Sequence, residues 1–293
     1  MSANPPDASQ RAPEESRGAF CYGHPDTPTG LRCTRCDRPI CGRCAIPASV
    51  GQHCPECVAE ARRTTRKVRT VAVARSPVTV AIIAVCVAFF VAQLFYPPLT
   101  RRLASFQPAI AQGQWWRLLT PMLLHAPGTF LHILFNMYVL WIYGPDVEEA
   151  YGKVRYLAMF LIAGFTGSAA SYALGPCPTL GVGASGAIFG IVGGLLVYLY
   201  NRRRSAFVAS YLRGVTGLVA INLAIGFFLP GIDYLAHLGG LAGGMLLGLG
   251  FDRGAEGSRL SGLQVGVGAA VVGLGVALVA YKTMNFVCGG FPG

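Results

Sequence analysis

Ser185 and His237 are the residues of this 293-residue chain best suited to acyl transfer. Ser185 stands in Gly183-Ala184-Ser185-Gly186, and His237 in Ala236-His237-Leu238-Gly239-Gly240. A serine hydroxyl is a weak nucleophile and needs a base within hydrogen-bond reach, which a histidine supplies. The oxyanion that then develops needs donors aimed at it. His132 and Asn136, four apart and therefore on one helix face, are candidates, together with the Ser185 backbone N–H near a helix start. Gly183 and Gly186 leave room for a substrate backbone. Phe189, four residues beyond Ser185, is placed to pack on the His237 ring. Each residue alone has a plainer reading: a serine back-bonding to its own helix, a histidine bonded to a carbonyl, an asparagine joining two helices. Their combination points to one mechanism.

A second set of residues suits metal. Cys21-x2-His24, Cys33-x2-Cys36, Cys41-x2-Cys44 and Cys54-x2-Cys57 form four pairs with two-residue spacers, enough for two tetrahedral zinc ions. If the pattern is cross-braced, the first and third pairs share one ion and the second and fourth the other; a sequential arrangement is the alternative. His53 adjoins Cys54 and could replace a neighbouring ligand. The pattern resembles B-box-type and other small cross-braced zinc domains. So small a module cannot fold on core burial alone, so both ions are read as structural, with no metal assigned to catalysis.

The elements that must position these groups are membrane helices. The chain is 53% hydrophobic and 13% charged, against about 25% charged in soluble domains. Apolar runs follow one another after Arg75. Seven candidate spans lie near 77–96, 129–144, 154–174, 186–201, 212–229, 235–251 and 263–281. The net charge of +11 does not indicate nucleic acid, because the basic residues flank the apolar runs. Counting Lys and Arg on alternate sides gives fourteen against four, which places the N-terminus inside and the C-terminus outside. Ser185 and His237 then lie at similar depth toward the outer side. The segment 97–128, with Trp115, Trp116 and Arg117, reads as partly inserted and outward-facing. Residues 1–19 read as a disordered tail without a signal peptide, 20–58 as the zinc module and 59–76 as a basic linker placed to touch anionic lipid. A core over 77–251 follows, and then a seventh helix and tail over 252–293.

From about Pro77 to Phe251 the chain resembles the rhomboid family of intramembrane serine proteases. The resemblance is carried by Gln114-Trp115-Trp116-Arg117-Leu118-Leu119-Thr120, His125-Ala126, His132-Ile133-Leu134-Phe135-Asn136, Gly183-Ala184-Ser185-Gly186-Ala187-Ile188-Phe189-Gly190 and Ala236-His237-Leu238-Gly239-Gly240. It implies an all-α polytopic membrane protein with a six-helix core, here with a seventh C-terminal helix, a known family variant. It implies Ser185 as nucleophile, His237 as base without a third acidic residue, and His132 and Asn136 as oxyanion donors. The expected substrates are transmembrane proteins that enter sideways between spans, with 212–229 and the segment after it as gating elements. The alternative is a catalytically silent relative that binds membrane proteins. Asp233 reads as a loop residue outside any triad, and His125 as structural. The expected setting is a prokaryotic plasma membrane, with a cytoplasmic protein as a possible partner of the zinc module. Cys177 and Cys288 both fall outside and are candidates for a disulfide, whereas Cys86 reads as a buried span residue.

Overall fold

A computed structural model describes residues 19–48, 50–64, 76–252 and 260–289. The chain divides into two compact units, Met1–Thr70 and Val71–Gly293. The disordered tail expected before Ala19 and the linker over 65–75 lie outside the described residues.

The first unit is built from short hairpins around its cysteines. Strands β1 (Ala19–Cys21) and β2 (His24–Thr29) pair antiparallel, with Cys21 opposite His24. A second hairpin joins β3 (Ile46–Pro47) to β4 (Gln52–His53), and α1 (Pro55–Thr64) follows. Two expectations are corrected here. Residues up to Thr64, assigned to the linker, continue the module's helix. His53 is a strand residue paired with Ile46 and is not among the clustered ligands. The buried core of this unit consists of Cys21, Cys33, Ile40, Cys41, Cys44, Cys54 and Cys57. One isoleucine among six cysteines leaves little apolar burial to hold the fold.

The second unit is helical, as a polytopic membrane protein requires, because helices satisfy their own backbone groups in lipid. The seven long helices are α2 (Pro77–Phe95), α5 (Phe130–Tyr151), α6 (Lys153–Leu174), α7 (Ser185–Asn201), α8 (Ala206–Phe228), α9 (Tyr234–Asp252) and α10 (Gly262–Met284). Among the described residues, α2, α6, α8, α9 and α10 are long and apolar enough to cross a membrane. The apolar α7 is shorter, and α5 carries Asp146, Glu148 and Glu149 near its end. The segment between α2 and α5 folds into α3 (Pro98–Leu103), strand β5 (Ser105–Phe106), α4 (Gln107–Ala111) and two 3-10 turns. Strand β5 pairs with β6 (Leu180–Gly181), just before Ser185, which adds a short strand pair to an otherwise all-α unit. Arg117 is buried there. Its guanidinium donates to the carbonyls of Arg101 (2.9 Å) and Ala104 (2.6 Å) and to Gln114 (2.7 Å), holding the turns together.

α7 is the central helix, touching α5, α6, α8 and α9. Its closest approach is to α9. A Cβ on Gly240 would lie 1.9 Å from the Gly186 carbonyl oxygen, and one on Gly244 would lie 1.9 Å from that of Gly190. Gly239 and Gly167 bring α9 and α6 together in the same way, with the Thr166 and Ala236 carbonyls each 2.7 Å from the Cβ that is missing. Small residues are what permit such contacts in membrane helices. By contrast, α8 buries only Val215, Val219 and Gly226. The seventh helix, α10, packs on α6 and α9 and is tied at both ends. Arg155 Nε donates to Gln264 Oε1 (3.0 Å), and Gln264 Nε2 donates to the Phe251 carbonyl (3.1 Å). At the opposite end a disulfide joins Cys177 to Cys288, and the Tyr172 and Thr283 hydroxyls lie 2.9 Å apart.

Two helices differ from their expected bounds. α8 begins at Ala206 rather than 212, so Arg213 lies within the helix. α5 runs through Pro145 to Tyr151 instead of stopping at 144. The extra turns bring Glu148 under the start of α2, whose Ser76 makes no side-chain cap. Glu148 is buried and accepts from the Val78 N–H (3.1 Å), the Thr79 N–H (2.8 Å) and the Thr79 hydroxyl (2.8 Å). A carboxylate from another helix thus caps the first turn of α2, where free amides and the helix dipole favour negative charge. Glu148→Ala should therefore destabilise the protein by on the order of 3 kcal/mol, because it strands the buried Thr79 amide and the half-buried Val78 amide, while the Thr79 hydroxyl keeps Tyr156. Thermal unfolding in detergent measures this; an unchanged midpoint would mean the cap contributes nothing.

Candidate active site

Ser185 is the first residue of α7. That helix has 17 residues, a length of about 25 Å against a hydrocarbon core of about 30 Å. Ahead of it, Gly183 has φ +138°, a backbone conformation that side chains disfavour. Its N–H donates to the Pro121 carbonyl (3.0 Å), which ties the turn to the 3-10 segment. The Ser185 N–H belongs to the first turn, where helix amides have no intrahelical partner.

His237 stands in the first turn of α9 and is buried. Its Nε2 lies 2.8 Å from Ser185 Oγ. The ring stacks on Phe189 with centroids 4.3 Å apart and planes 7° from parallel. One backbone constraint serves both residues. Gly240 and Gly244 follow His237 at helical spacing, and Gly186 and Gly190 follow Ser185, so the glycine contact between α7 and α9 fixes the distance between the two side chains. Among the described residues His237 Nδ1 has no hydrogen-bond partner. Asp233 is directed elsewhere: it accepts from the Ala236 N–H (2.9 Å) and from the Ser171 hydroxyl. It caps α9 and ties it to α6. Gly226 of α8, absent from the sequence reading, lies over the imidazole; a Cβ there would be 3.7 Å from Nδ1. Nothing in its sequence setting marks it out.

His132 comes from the first turn of α5 to the same place. A Cβ on Gly183 would lie 2.9 Å from His132 Nε2 and 3.7 Å from Ser185 Oγ, so the three groups converge. Asn136 is buried one turn along, and its Nδ2 donates to the His132 carbonyl (2.8 Å). One of its two amide hydrogens is therefore used within its own helix. Gly186 meets the Ala236 carbonyl of α9, with 3.1 Å from that oxygen to a Cβ placed on it. Its close approach is to a helix rather than to open space.

The cysteines and histidine of the first unit gather into two groups, Cys21, His24, Cys41 and Cys44, and Cys33, Cys36, Cys54 and Cys57. In each group the ligand atoms all lie within 4.8 Å of one another. The pairing is first with third and second with fourth, the cross-braced arrangement. Backbone amides point at sulfur: the Cys54 N–H donates to Cys33 Sγ (3.2 Å) and the Cys57 N–H to Cys54 Sγ (3.4 Å). Burial pushes the Cys33 thiol up, but the amides of Cys54, Arg35 and Cys36 outweigh it and bring it down to about 6. The hydrogen bond with Cys54, together with burial, pushes Cys57 up to about 12. Crowded thiolates repel one another, so full ionisation of such a group requires a cation at its centre. The residues present fit a bound metal ion.

The sequence pattern of the Rhomboid domain matches residues 112–253. Over 154 residues the chain is 45% identical to rhomboid protease GluP of Bacillus subtilis (strain 168), covering 52% of this chain and 29% of that protein. It is 36% identical over 143 residues to putative rhomboid protease YdcA of the same organism, covering 49% of this chain and 70% of that protein. RHOMBOID-like protein 4 of Arabidopsis thaliana is 41% identical over 139 residues, with 45% of this chain and 33% of that protein covered. The chain thus spans less than a third of GluP.

Widening the α7–α9 contact should separate Ser185 from His237. Gly240→Val is expected to slow fluorophosphonate labelling of Ser185 by about 100-fold, since a displacement near 1 Å costs that much. Gly217→Ala on α8, where a Cβ meets nothing within 4 Å, should label at the wild-type rate. Equal rates for both variants would show that the glycine contact does not set the pair.

Proposed function

The chain belongs to the rhomboid family, and we propose that it is an intramembrane serine endopeptidase working through a Ser185–His237 pair. The observation that carries this reading is the 2.8 Å contact of His237 Nε2 with Ser185 Oγ, with the imidazole stacked on Phe189. In the neutral ring Nε2 accepts the serine proton and Nδ1 carries the other. As Oγ attacks the scissile carbonyl carbon, Nε2 takes its proton and the carbonyl electrons move to oxygen. The Ser185 N–H, His132 Nε2–H and the second amide hydrogen of Asn136 are the donors proposed for that oxyanion. The C–N bond then breaks as the imidazolium gives its proton to the departing amine, leaving an ester on Ser185. Water attacks the ester with His237 again as base, and the acid product and free serine return. While charged, the ring gains from its position over the Phe189 face. No acidic third residue takes part, and Asp233 is bonded to Ala236 and Ser171 instead.

Substrates in this reading are transmembrane proteins whose helices unwind easily near the cut, because a stable helix hides its carbonyls. The chain is a multi-pass membrane protein, and two observations support an inward N-terminus and outward C-terminus. Lys and Arg are concentrated on one side of the spans. The Cys177–Cys288 disulfide lies at the ends of α6 and α10, on the side of Ser185, and disulfides persist outside the cytoplasm. The N-terminal thiols are free, as a reducing compartment keeps them.

We assign zinc to the two ligand groups. Arms of about 2.3 Å in a tetrahedron give sulfur–sulfur edges of about 3.8 Å, and the Cys21–Cys44 and Cys36–Cys54 separations are both 3.7 Å. Zinc would stabilise the unit's fold; each group fills four positions with protein ligands, which suits a structural ion. A cytoplasmic protein is the partner proposed for this unit.

The central test is cleavage of a model transmembrane substrate in proteoliposomes. Ser185→Ala and His237→Ala are each expected to lower kcat by about 10,000-fold. Cleavage by either variant at the wild-type rate would sink the mechanism. For the metal, elemental analysis of purified protein should find two zinc ions per chain, and Cys33→Ser with Cys36→Ser should leave one while cleavage in detergent persists. A zinc-free wild-type protein would refute the assignment.

A further inference from the structure

Gln93 is a buried amide near the end of α2, an otherwise apolar helix. An amide in such a setting costs free energy unless it is fully bonded. This one uses both ends. Nε2 donates to Thr100 Oγ1 (2.9 Å) and to the His125 carbonyl (2.9 Å), and Oε1 accepts from the His125 N–H (3.0 Å). Thr100 and His125 stand near the two ends of the segment joining α2 to α5. The amide therefore closes that segment on α2 and clamps the His125 main chain from both sides.

The next peptide in the chain reaches the site. The Ala126 N–H faces His132 Nδ1 at 3.4 Å. A backbone N–H only donates, so Nδ1 accepts, and the proton of the neutral imidazole must sit on Nε2. Nε2 is the nitrogen that lies beside Gly183 and faces Ser185. The fully buried His125 ring packs edge-on against His132, with centroids 5.3 Å apart and planes at 63°, which limits rotation of the second ring. In the opposite tautomer His132 would turn a lone pair toward a developing negative oxygen. In the tautomer that Ala126 selects, it turns a donor.

We propose that Gln93 is a positioning residue: by clamping the backbone at His125 it holds the Ala126 N–H on His132 and keeps the His132 proton on Nε2, aimed at the oxyanion. This inference rests on the reading of His132 as an oxyanion donor. A residue on the first long helix thereby acts on the reaction through two histidines and one peptide, touching neither substrate nor nucleophile. The plainer role, a staple for the joining segment alone, predicts a different outcome.

The test compares Gln93→Met, which keeps size and removes all three hydrogen bonds, with His132→Ala and the double variant, by steady-state cleavage in proteoliposomes. Gln93→Met should lower kcat by about 10- to 100-fold with KM within about twofold, and His132→Ala by about 100- to 1,000-fold. Because Gln93 acts through His132, the double variant should be no slower than His132→Ala. Nitrogen NMR of 15N-histidine protein in the Ser185→Ala background should place the His132 proton on Nε2 with Gln93 present. Adding Gln93→Met to that background should shift the signal toward a mixture of tautomers. A wild-type kcat in Gln93→Met, additive losses in the double variant, or a proton on Nδ1 with Gln93 present would each overturn the proposal. The NMR readout with Gln93 present holds even if Gln93→Met fails to fold. An His132→Ala protein with full kcat would instead overturn the oxyanion reading beneath it.

Discussion

The contact between α7 and α9 is made backbone to backbone, with Gly186 and Gly190 meeting Gly240 and Gly244 at distances no other residue permits. In lipid there is little hydrophobic drive between helices, so their association depends on dispersion, close fit and a few polar links. Close approach of glycine faces supplies dispersion and places α-hydrogens against facing carbonyls, a weak attraction repeated along the helix. The same contact fixes chemistry. Ser185 adjoins one glycine face and His237 precedes the other by a single turn, so helix separation and nucleophile–base distance are one variable. Gly167 and Gly239 extend the constraint to α6, making a three-helix core of close backbone contacts. The lightly buried α8, which lies over His237 with Gly226, is the helix of the core with least holding it.

Around that core, polar side chains do what caps and turns do in water. Glu148 caps α2 from α5, Gln93 closes the segment after α2, Arg117 ties the first 3-10 turn to the carbonyls at the end of α3, and Gln264 joins α10 to α6 and α9. Each is buried and each is bonded. Where water is scarce, an unsatisfied backbone group costs several kcal/mol. Irregular backbone at membrane depth therefore survives only where such side chains reach it. The stretch before Ser185 shows the result: it is held by β5, by Pro121 and by Gln107, which bonds Thr179 and the Pro176 carbonyl. The proposed nucleophile thus emerges from a turn with little freedom left.

The spans and the glycine faces were legible in the sequence because both are local patterns: apolar length and small residues at helical spacing. Ser185 and Phe189 were legible together because they share one helix face, and His237 joins them in the structure. The long-range side-chain bonds were not. The apolar run of α5 gives out near 144, where the span was expected to stop; the turns beyond it carry Glu148, which bonds residues 69 and 70 positions away along the chain. No local pattern carries that information. The start of α8 was set too late, at 212 rather than Ala206, because its first turns lie beside the basic run of Arg202, Arg203 and Arg204 and add length that apolar counting does not see. Gln93 went unremarked since a single amide in an apolar run has no spacing to give it away. In the N-terminal unit the clustered residues were readable and the cross-braced pairing was left open, because chain order alone allows either; the hairpin that sets Cys21 opposite His24 and the fold that returns Cys41 to them decide it.

The cysteines give the two units different chemistry from one element. In the N-terminal unit they are crowded, aimed at by backbone amides and divided into three beside His24 and a separate four, an arrangement that ionises fully only around cations. Beyond the spans they occur as one bonded pair, which ties the loop before Ser185 to the end of α10. A reducing compartment protects the first arrangement and would open the second; an oxidising one does the reverse. The orientation we propose, with the N-terminal unit inside, would preserve both, and the Lys and Arg count, which knows nothing of sulfur, supports the same orientation. In that proposed orientation the Ser185–His237 pair would share the oxidising side with the disulfide that holds its neighbouring loop, and the N-terminal thiolates would lie where they persist.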